Sequence, residues 1–171
     1  MNAQSRLEVM QHLEPFVDES MKTLLRPIGE LWQPTDFLPD FASESGHDDF
    51  TALQEEAKAL PDDIISVLVG DTVTEEALPT YANWLACLEG VSEAGAASQS
   101  PWAVWNRAWC AEENRHGDVL SRYLMMSGRV NMREVDVVIN NLIYDGMDIQ
   151  TGRDPYRFFT YTSFQELATN R

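Results

Sequence analysis

Apolar positions recur every three to four residues through most of the chain, in windows separated by short stretches rich in Gly, Pro, Ser and Asp. Nowhere does two-residue alternation coincide with a tight Asn-Gly turn, so the pattern predicts helices rather than strands. Residues 33–49 (QPTDFLPDFASESGHDD) carry two prolines and read as irregular loop. Helices are expected over residues 48–60 and 62–89, the second ending at Gly90. Ser100-Pro101 then supplies an N-cap and a first-turn proline for a helix running to Met126 and closed by Gly128. Asn131, with Glu134 at the capping-box offset, opens another helix, and Asp154-Pro155 opens the last, which runs almost to Arg171. Within the 62–89 window Pro79 has no N–H to give the carbonyl of Glu75, so a bend is expected there.

Composition narrows the class. The 171 residues are long enough for one domain with its own core, and 44% hydrophobic content fits a globular chain. No repeat, low-complexity tract or linker suggests a boundary, so residues 1–171 are expected to form a single domain. There is no 18-residue apolar run, and the N-terminus shows neither a hydrophobic signal core nor a transit-peptide composition, so the chain reads as soluble and unprocessed. Cys87 and Cys110 lie in apolar, helix-patterned windows without CxxC spacing, which predicts buried free thiols in a reducing compartment. The net charge of −16 disfavours nucleic acid and anionic membrane surfaces as partners. The same carboxylates are hard oxygen donors of the kind iron or manganese prefers.

One stretch carries a candidate chemistry. In AWCAEENRHGDVL (108–120), Glu113 and His116 are three residues apart and share a helix face. Taken alone the pair reads better as a solvated charged face. Its flanks are apolar, however: Trp102, Trp105 and Trp109 precede it, and Leu120, Tyr123 and Leu124 follow at helical spacing. A carboxylate on such a face needs a partner, because an unpaired buried charge is costly. Neighbouring helices each offer a lone glutamate at a matching height. Glu75 and Glu113 stand at about equal distances from the turn at 90–100 if their helices run antiparallel, roughly 20 Å away at about 1.5 Å per residue. Glu166 lies at a looser match on the last helix, on a face with Phe159, Thr162, Ser163 and Thr169, where the hydroxyls are expected to pack or bond to backbone. Glu44 and His47 repeat the spacing within a polar loop, and Glu8 and His12 lie near a fraying terminus, so neither pair is a candidate. No phosphate-cradling loop or nucleophile elbow is present. A lone Glu, a Glu-x-x-His and another lone Glu on separate helices make up three quarters of the carboxylate-bridged di-iron pattern.

Five stretches in order, WQPTDFLPD (32–40), LVGDTVTEEALPTY (68–81), AEENRHGD (111–118), SGRVNMR (127–133) and YTSFQELAT (161–169), resemble the soluble acyl-[acyl-carrier-protein] desaturases, which are ferritin-like di-iron enzymes. The resemblance runs from about residue 30 onward. It implies an all-α, ferritin-like helical bundle with Glu75, Glu113, His116 and Glu166 as iron ligands, Glu113 bridging two irons, and Thr169 beside the oxygen-binding face, where its hydroxyl would help deliver protons. The family's second Glu-x-x-His has no counterpart here, so the chain looks like the N-terminal part of such an enzyme. The implied activity is O₂-dependent insertion of a cis double bond into a carrier-protein-bound acyl chain, with ferredoxin electrons and a homodimeric enzyme. Both partner proteins are typically acidic, so a local basic patch is expected, drawn from Lys22, Arg26, Arg122 and Arg129, or a basic surface elsewhere in the enzyme. Phe159 and Phe158 are expected to line an acyl pocket or to belong to the core. The implied location is a bacterial cytoplasm or, with a leader removed, a plastid stroma. The rival readings are a ferritin-like metal-binding module without desaturase activity and a non-catalytic fragment that packs against a partner.

Overall fold

A computed structural model describes residues 1–91 and 97–169. Every regular element among them is helical: α1 (Ala3–Leu24), α2 (Gly46–Ala59), α3 (Asp62–Glu76), α4 (Leu78–Ala86), α5 (Pro101–Ser127), α6 (Met132–Asp145) and α7 (Pro155–Thr169), with short 3-10 turns at Ile28–Glu30 and Pro34–Asp36. The all-α expectation holds. The chain divides into two compact units, one of Met1–Arg26, Thr80–Trp109 and Met147–Arg171, the other of Pro27–Pro79 and Cys110–Gly146.

Helix ends follow local chemistry. Asn2 opens α1 by accepting the Ser5 N–H at 2.8 Å. Ser100 accepts the Ala103 N–H at 3.4 Å to open α5, and Asp154 accepts from the N–H groups of Tyr156 and Arg157 to open α7. Gly128 closes α5 at φ +66°, a conformation that a residue with a Cβ adopts only at a cost. The expected side-chain cap at Asn131 is absent: only its backbone carbonyl serves the first turn of α6. The single helix expected over 62–89 is two helices, because α3 stops at Glu76 and α4 starts at Leu78, beside the missing N–H of Pro79. Part of the 90–100 turn, residues 92–96, lies outside the described residues, as does the end of the last window past 169.

In the first unit, Met10, Val17, Leu85, Leu88, Val91, Trp102 and Phe158 form a buried core. Trp102 stacks on Phe159 at 5.5 Å and donates its indole N–H to the Met10 carbonyl at 2.9 Å, so its one polar atom is satisfied inside. Arg6 grips the buried Glu89 carboxylate with two bonds, Nε at 2.9 Å and Nη2 at 2.5 Å, and Arg153 approaches the same carboxylate at 3.4 Å. The second unit buries Ala57, Ile65, Ala77, Leu124, Val135 and Ile139, with α3 packed on α6. Arg129 ties its turns together, donating Nη1 to the carbonyls of Ala57 and Leu60 and Nη2 to Asp62 at 2.5 Å. Two carbonyls at the end of α2, those of Ala57 and its C-cap Leu60, thereby gain a donor.

Two surface expectations change. Both cysteines are thiols rather than a disulfide, but Cys87 is exposed and only Cys110 is half-buried, where burial pushes its thiol up. Of the four residues considered for a basic patch, Lys22 pairs with Asp18 and Glu19, Arg122 with Asp118 and Arg129 with Asp62, so most of that charge is already neutralised. No helix among the described residues is long and apolar enough to cross a membrane.

Candidate metal centre

Glu75 sits in the last turn of α3, one residue before the break, and Glu113 and His116 are one turn apart in the middle of α5. These helices bring the three side chains to one point. One ligand atom from each lies within 4.8 Å of the others, the only such group of three or more His, Cys, Asp or Glu side chains among the described residues. The imidazole Nδ1 is 3.2 Å from Glu113 Oε2 and 3.7 Å from Glu75 Oε2, so one edge of the ring faces both carboxylates.

Gly117 allows the approach. It is buried, and a Cβ built on it would lie 3.3 Å from the Glu75 carbonyl carbon and the Glu76 nitrogen. A larger residue would push the end of α3, and with it Glu75, away from α5.

The electrostatics are those of a cation site holding a proton. The two carboxylates, Glu113 first and Glu75 second, hold the His116 imidazole protonated and push its pKa up to about 10. Burial, together with the neighbouring Glu113 carboxylate, pushes the Glu75 carboxyl above the usual range, partly offset by the hydrogen bond to His116. Two carboxylates crowded in a half-buried place are unfavourable without a positive charge between them, and the imidazolium proton supplies one. A divalent cation would supply more. Donors bound at about 2.1 Å and about 90° apart lie about 3.0 Å from one another. The imidazole's separations of 3.2 Å and 3.7 Å lie close to that spacing, and all three donors lie within 4.8 Å of one another. A glutamate from one helix with a Glu-x-x-His from another is also the donor set that carboxylate-bridged di-iron bundles project inward. The residues therefore fit one iron ion.

Of the sequence candidates, Glu75, Glu113 and His116 come together as expected. Glu166 and Thr169 lie on α7 in the first unit, both exposed, and the Thr169 hydroxyl donates to the carbonyls of Gln165 and Glu166 at 3.3 Å and 3.1 Å. Thr162 and Ser163 likewise bond to their own helix backbone. Phe158 is core, whereas Phe159 packs against the core and also lines an open apolar groove of about 770 Å³ with Leu13, Phe16, Trp105 and Phe164.

Two neighbours of the centre were not expected. Glu112 Oε1 is 3.6 Å from His116 Nε2, and its position four residues earlier on the same helix made that proximity readable. Trp32 stacks flat against the His116 ring, with centroids 5.9 Å apart and planes 7° apart. No periodicity marks which way a loop tryptophan turns, so only the fold could reveal this contact.

Residues 5–171 match the family model described as fatty acid desaturase. The chain is 54% identical over 164 residues to stearoyl-[acyl-carrier-protein] 9-desaturase 5, chloroplastic, of Arabidopsis thaliana, covering 96% of this chain and 41% of that protein. It is 52% identical over 164 residues to the chloroplastic acyl-[acyl-carrier-protein] desaturase of Cucumis sativus, with the same shares of each chain covered. It is 51% identical over 166 residues to the chloroplastic stearoyl-[acyl-carrier-protein] 9-desaturase of Spinacia oleracea, covering 97% of this chain and 42% of that one. The chain thus spans about two fifths of the length of the curated relatives it matches. Matched by the family model from residue 5 to its last residue, this all-helical chain belongs to the acyl-[acyl-carrier-protein] desaturase family.

Proposed function

We propose that this chain is the part of an acyl-[acyl-carrier-protein] desaturase whose Glu75, Glu113 and His116, with Glu166, would hold the iron of a di-iron centre. The observation that carries the reading is the convergence of three donors from α3 and α5 within 4.8 Å. Family membership supports iron at these donors over another cation. A di-iron centre would supply the O₂-dependent oxidising power needed to remove two hydrogens from an unactivated methylene pair and leave a cis double bond.

The chain's own groups have definite tasks in this reading. Glu113, the most enclosed of the three with its side chain 12% exposed, has little freedom to swing and would hold a cation in a fixed place. His116 would have to give up its proton to serve as a neutral ligand, and its Nε2 lies 3.6 Å from Glu112 Oε1. Thr169 would hold or pass a proton only after leaving its bonds to the Gln165 and Glu166 carbonyls. The remaining ligands, a second Glu-x-x-His, would come from polypeptide that corresponds to the rest of the relatives' length. Residues 1–171 are then part of one ferritin-like domain, as the unbroken family match from residue 5 supports.

The substrate in this reading is a saturated acyl chain carried on acyl carrier protein. Ferredoxin is the electron donor, the enzyme is a homodimer, and the compartment is a plastid stroma or a bacterial cytoplasm. The relatives' names, which specify stearoyl-[acyl-carrier-protein] and the chloroplast, support the substrate and the first location. The test joins residues 1–171 to the C-terminal remainder of the Arabidopsis relative, loads the chimera with Fe(II), and incubates it with stearoyl-carrier protein, reduced ferredoxin and O₂. An unsaturated product that disappears with Glu113→Gln supports the reading. Iron uptake without product would instead favour a ferritin-like metal-binding module.

A further inference from the structure

The loop that precedes α2 lies away from the three donors in sequence, yet it builds one wall of their site. Gln33 and Asp36 close a capping box around the 3-10 turn Pro34–Asp36, with the Gln33 N–H donating to Asp36 Oδ2 at 2.8 Å. This fixes the loop just after Trp32. The indole is then held by two further groups: the Phe37 ring meets it edge-on at 5.5 Å, and the Arg115 guanidinium lies over it at 5.2 Å. Arg115 is itself anchored, paired with Glu112 and donating to the Ala111 carbonyl, while its buried Nε has no hydrogen-bond partner. A buried guanidinium that forgoes one hydrogen bond while lying on an aromatic face is engaged with that face.

Against this braced indole lies the His116 ring, parallel to within 7°. The imidazole side chain is 37% exposed, and its edge contacts with Glu113, Glu75 and Glu112 leave the plane of the ring to be set by what lies against its face. A flat wall removes the rotations that would carry Nδ1 away from the carboxylates. We propose that Trp32, braced by Phe37 and Arg115, is a positioning residue that fixes the plane of the His116 ring and so presets Nδ1 toward Glu113 and Glu75 for a divalent cation. The inference rests on the metal-site reading above and adds to it a residue that donates no ligand atom. Groups that orient a metal-bound histidine from outside the coordination sphere are worth about 10- to 100-fold in metal affinity, and Trp32 acts through ring stacking in that range.

The test is Co(II) titration of the 171-residue chain, followed by the visible absorption of the bound ion, on wild type, Trp32→Leu, Trp32→Phe and Glu113→Gln. Leucine keeps apolar bulk without a flat face, and phenylalanine keeps the flat face. The expected result is a roughly 10- to 100-fold weaker Kd for Trp32→Leu and a Kd for Trp32→Phe within a few-fold of wild type. A proton spectrum of the metal-free protein gives a second readout: the His116 ring C–H signals should be shifted by the indole ring current and should move on Trp32→Leu. Equal Co(II) affinity in wild type and Trp32→Leu, with loss in Glu113→Gln, overturns the positioning role and leaves the metal site standing. Loss in both Leu and Phe variants also overturns it, since the flat face would then not be what matters. A wild type that binds no Co(II), or binds it as well after Glu113→Gln, overturns the metal-site reading and the inference with it.

Discussion

Replacing Gly117 by alanine sets two effects of similar size against each other. A glycine inside a long helix costs about 0.8–1.0 kcal/mol relative to alanine, so the substitution should stabilise α5 by that amount if nothing else changed. The new Cβ, however, would lie 3.3 Å from the Glu75 carbonyl carbon and the Glu76 nitrogen, and 3.4 Å from the Glu75 oxygen. Carbon contacts relax to roughly 3.5–4.0 Å, so the facing strip must retreat by a few tenths of an ångström. These are backbone atoms that cannot rotate away, and overpacking of this kind costs about 1–3 kcal/mol. The contact should therefore cancel or outweigh the helix gain, leaving Gly117→Ala between unchanged and about 2 kcal/mol less stable in urea titrations followed by circular dichroism. Metal affinity should respond more sharply than stability. Ligand distances tolerate only about 0.2 Å, and the strip that must retreat carries Glu75. Gly117→Val should lower both stability and affinity further. If Gly117→Ala gains the full helix increment and binds Co(II) as wild type does, the close approach of α5 to the end of α3 does not position Glu75, and the reasoning fails.

Three other outcomes follow from the packing. The Glu89 carboxyl is held below the usual range chiefly by its hydrogen bonds from Arg6, so its contribution is present above the unfolded value near about 4.3 and is lost as pH falls through the lower folded value; urea midpoints measured from pH 5 downward should fall, and Glu89→Gln should flatten that slope. Trp102→Phe keeps the stack on Phe159 but removes the indole hydrogen bond to the Met10 carbonyl, and should cost about 0.5–1.5 kcal/mol by chemical denaturation. Arg129→Lys cannot span the Ala57 and Leu60 carbonyls and Asp62 with one ammonium, and should lower stability by about 1–2 kcal/mol, a loss that thermal melts would detect.

The centre was readable in the sequence because it follows from helix geometry. Residues three apart share a face, which is what pairs Glu113 with His116 in the sequence, and His116 lies 3.2 Å from Glu113 and 3.7 Å from Glu75. The bend at Pro79 was legible for the same reason, although its form is a full break at Ala77. Helix α1 was harder to see. Pro15 sits inside it, and the buried stripe of Met10 and Val17 is thin against a polar background, so the segment read as a fraying terminus until the first unit's core covered it. The exposed Cys87 shows the opposite error: an apolar window does not say which residue in it faces out. Trp32 was visible only as part of a motif, because its orientation is set by the Gln33–Asp36 turn and by Arg115, contacts between segments about 80 residues apart in the chain.

The most direct test of the metal-centre claim is the binding of Fe(II), under anaerobic conditions, to the 171-residue chain and to its Glu75→Gln, Glu113→Gln and His116→Asn variants, with bound metal counted after removal of excess. The account predicts one tightly held ion per chain in the wild type and a loss of that ion in each variant. An unchanged stoichiometry and affinity in all three variants, or no retained iron in the wild type, would contradict it.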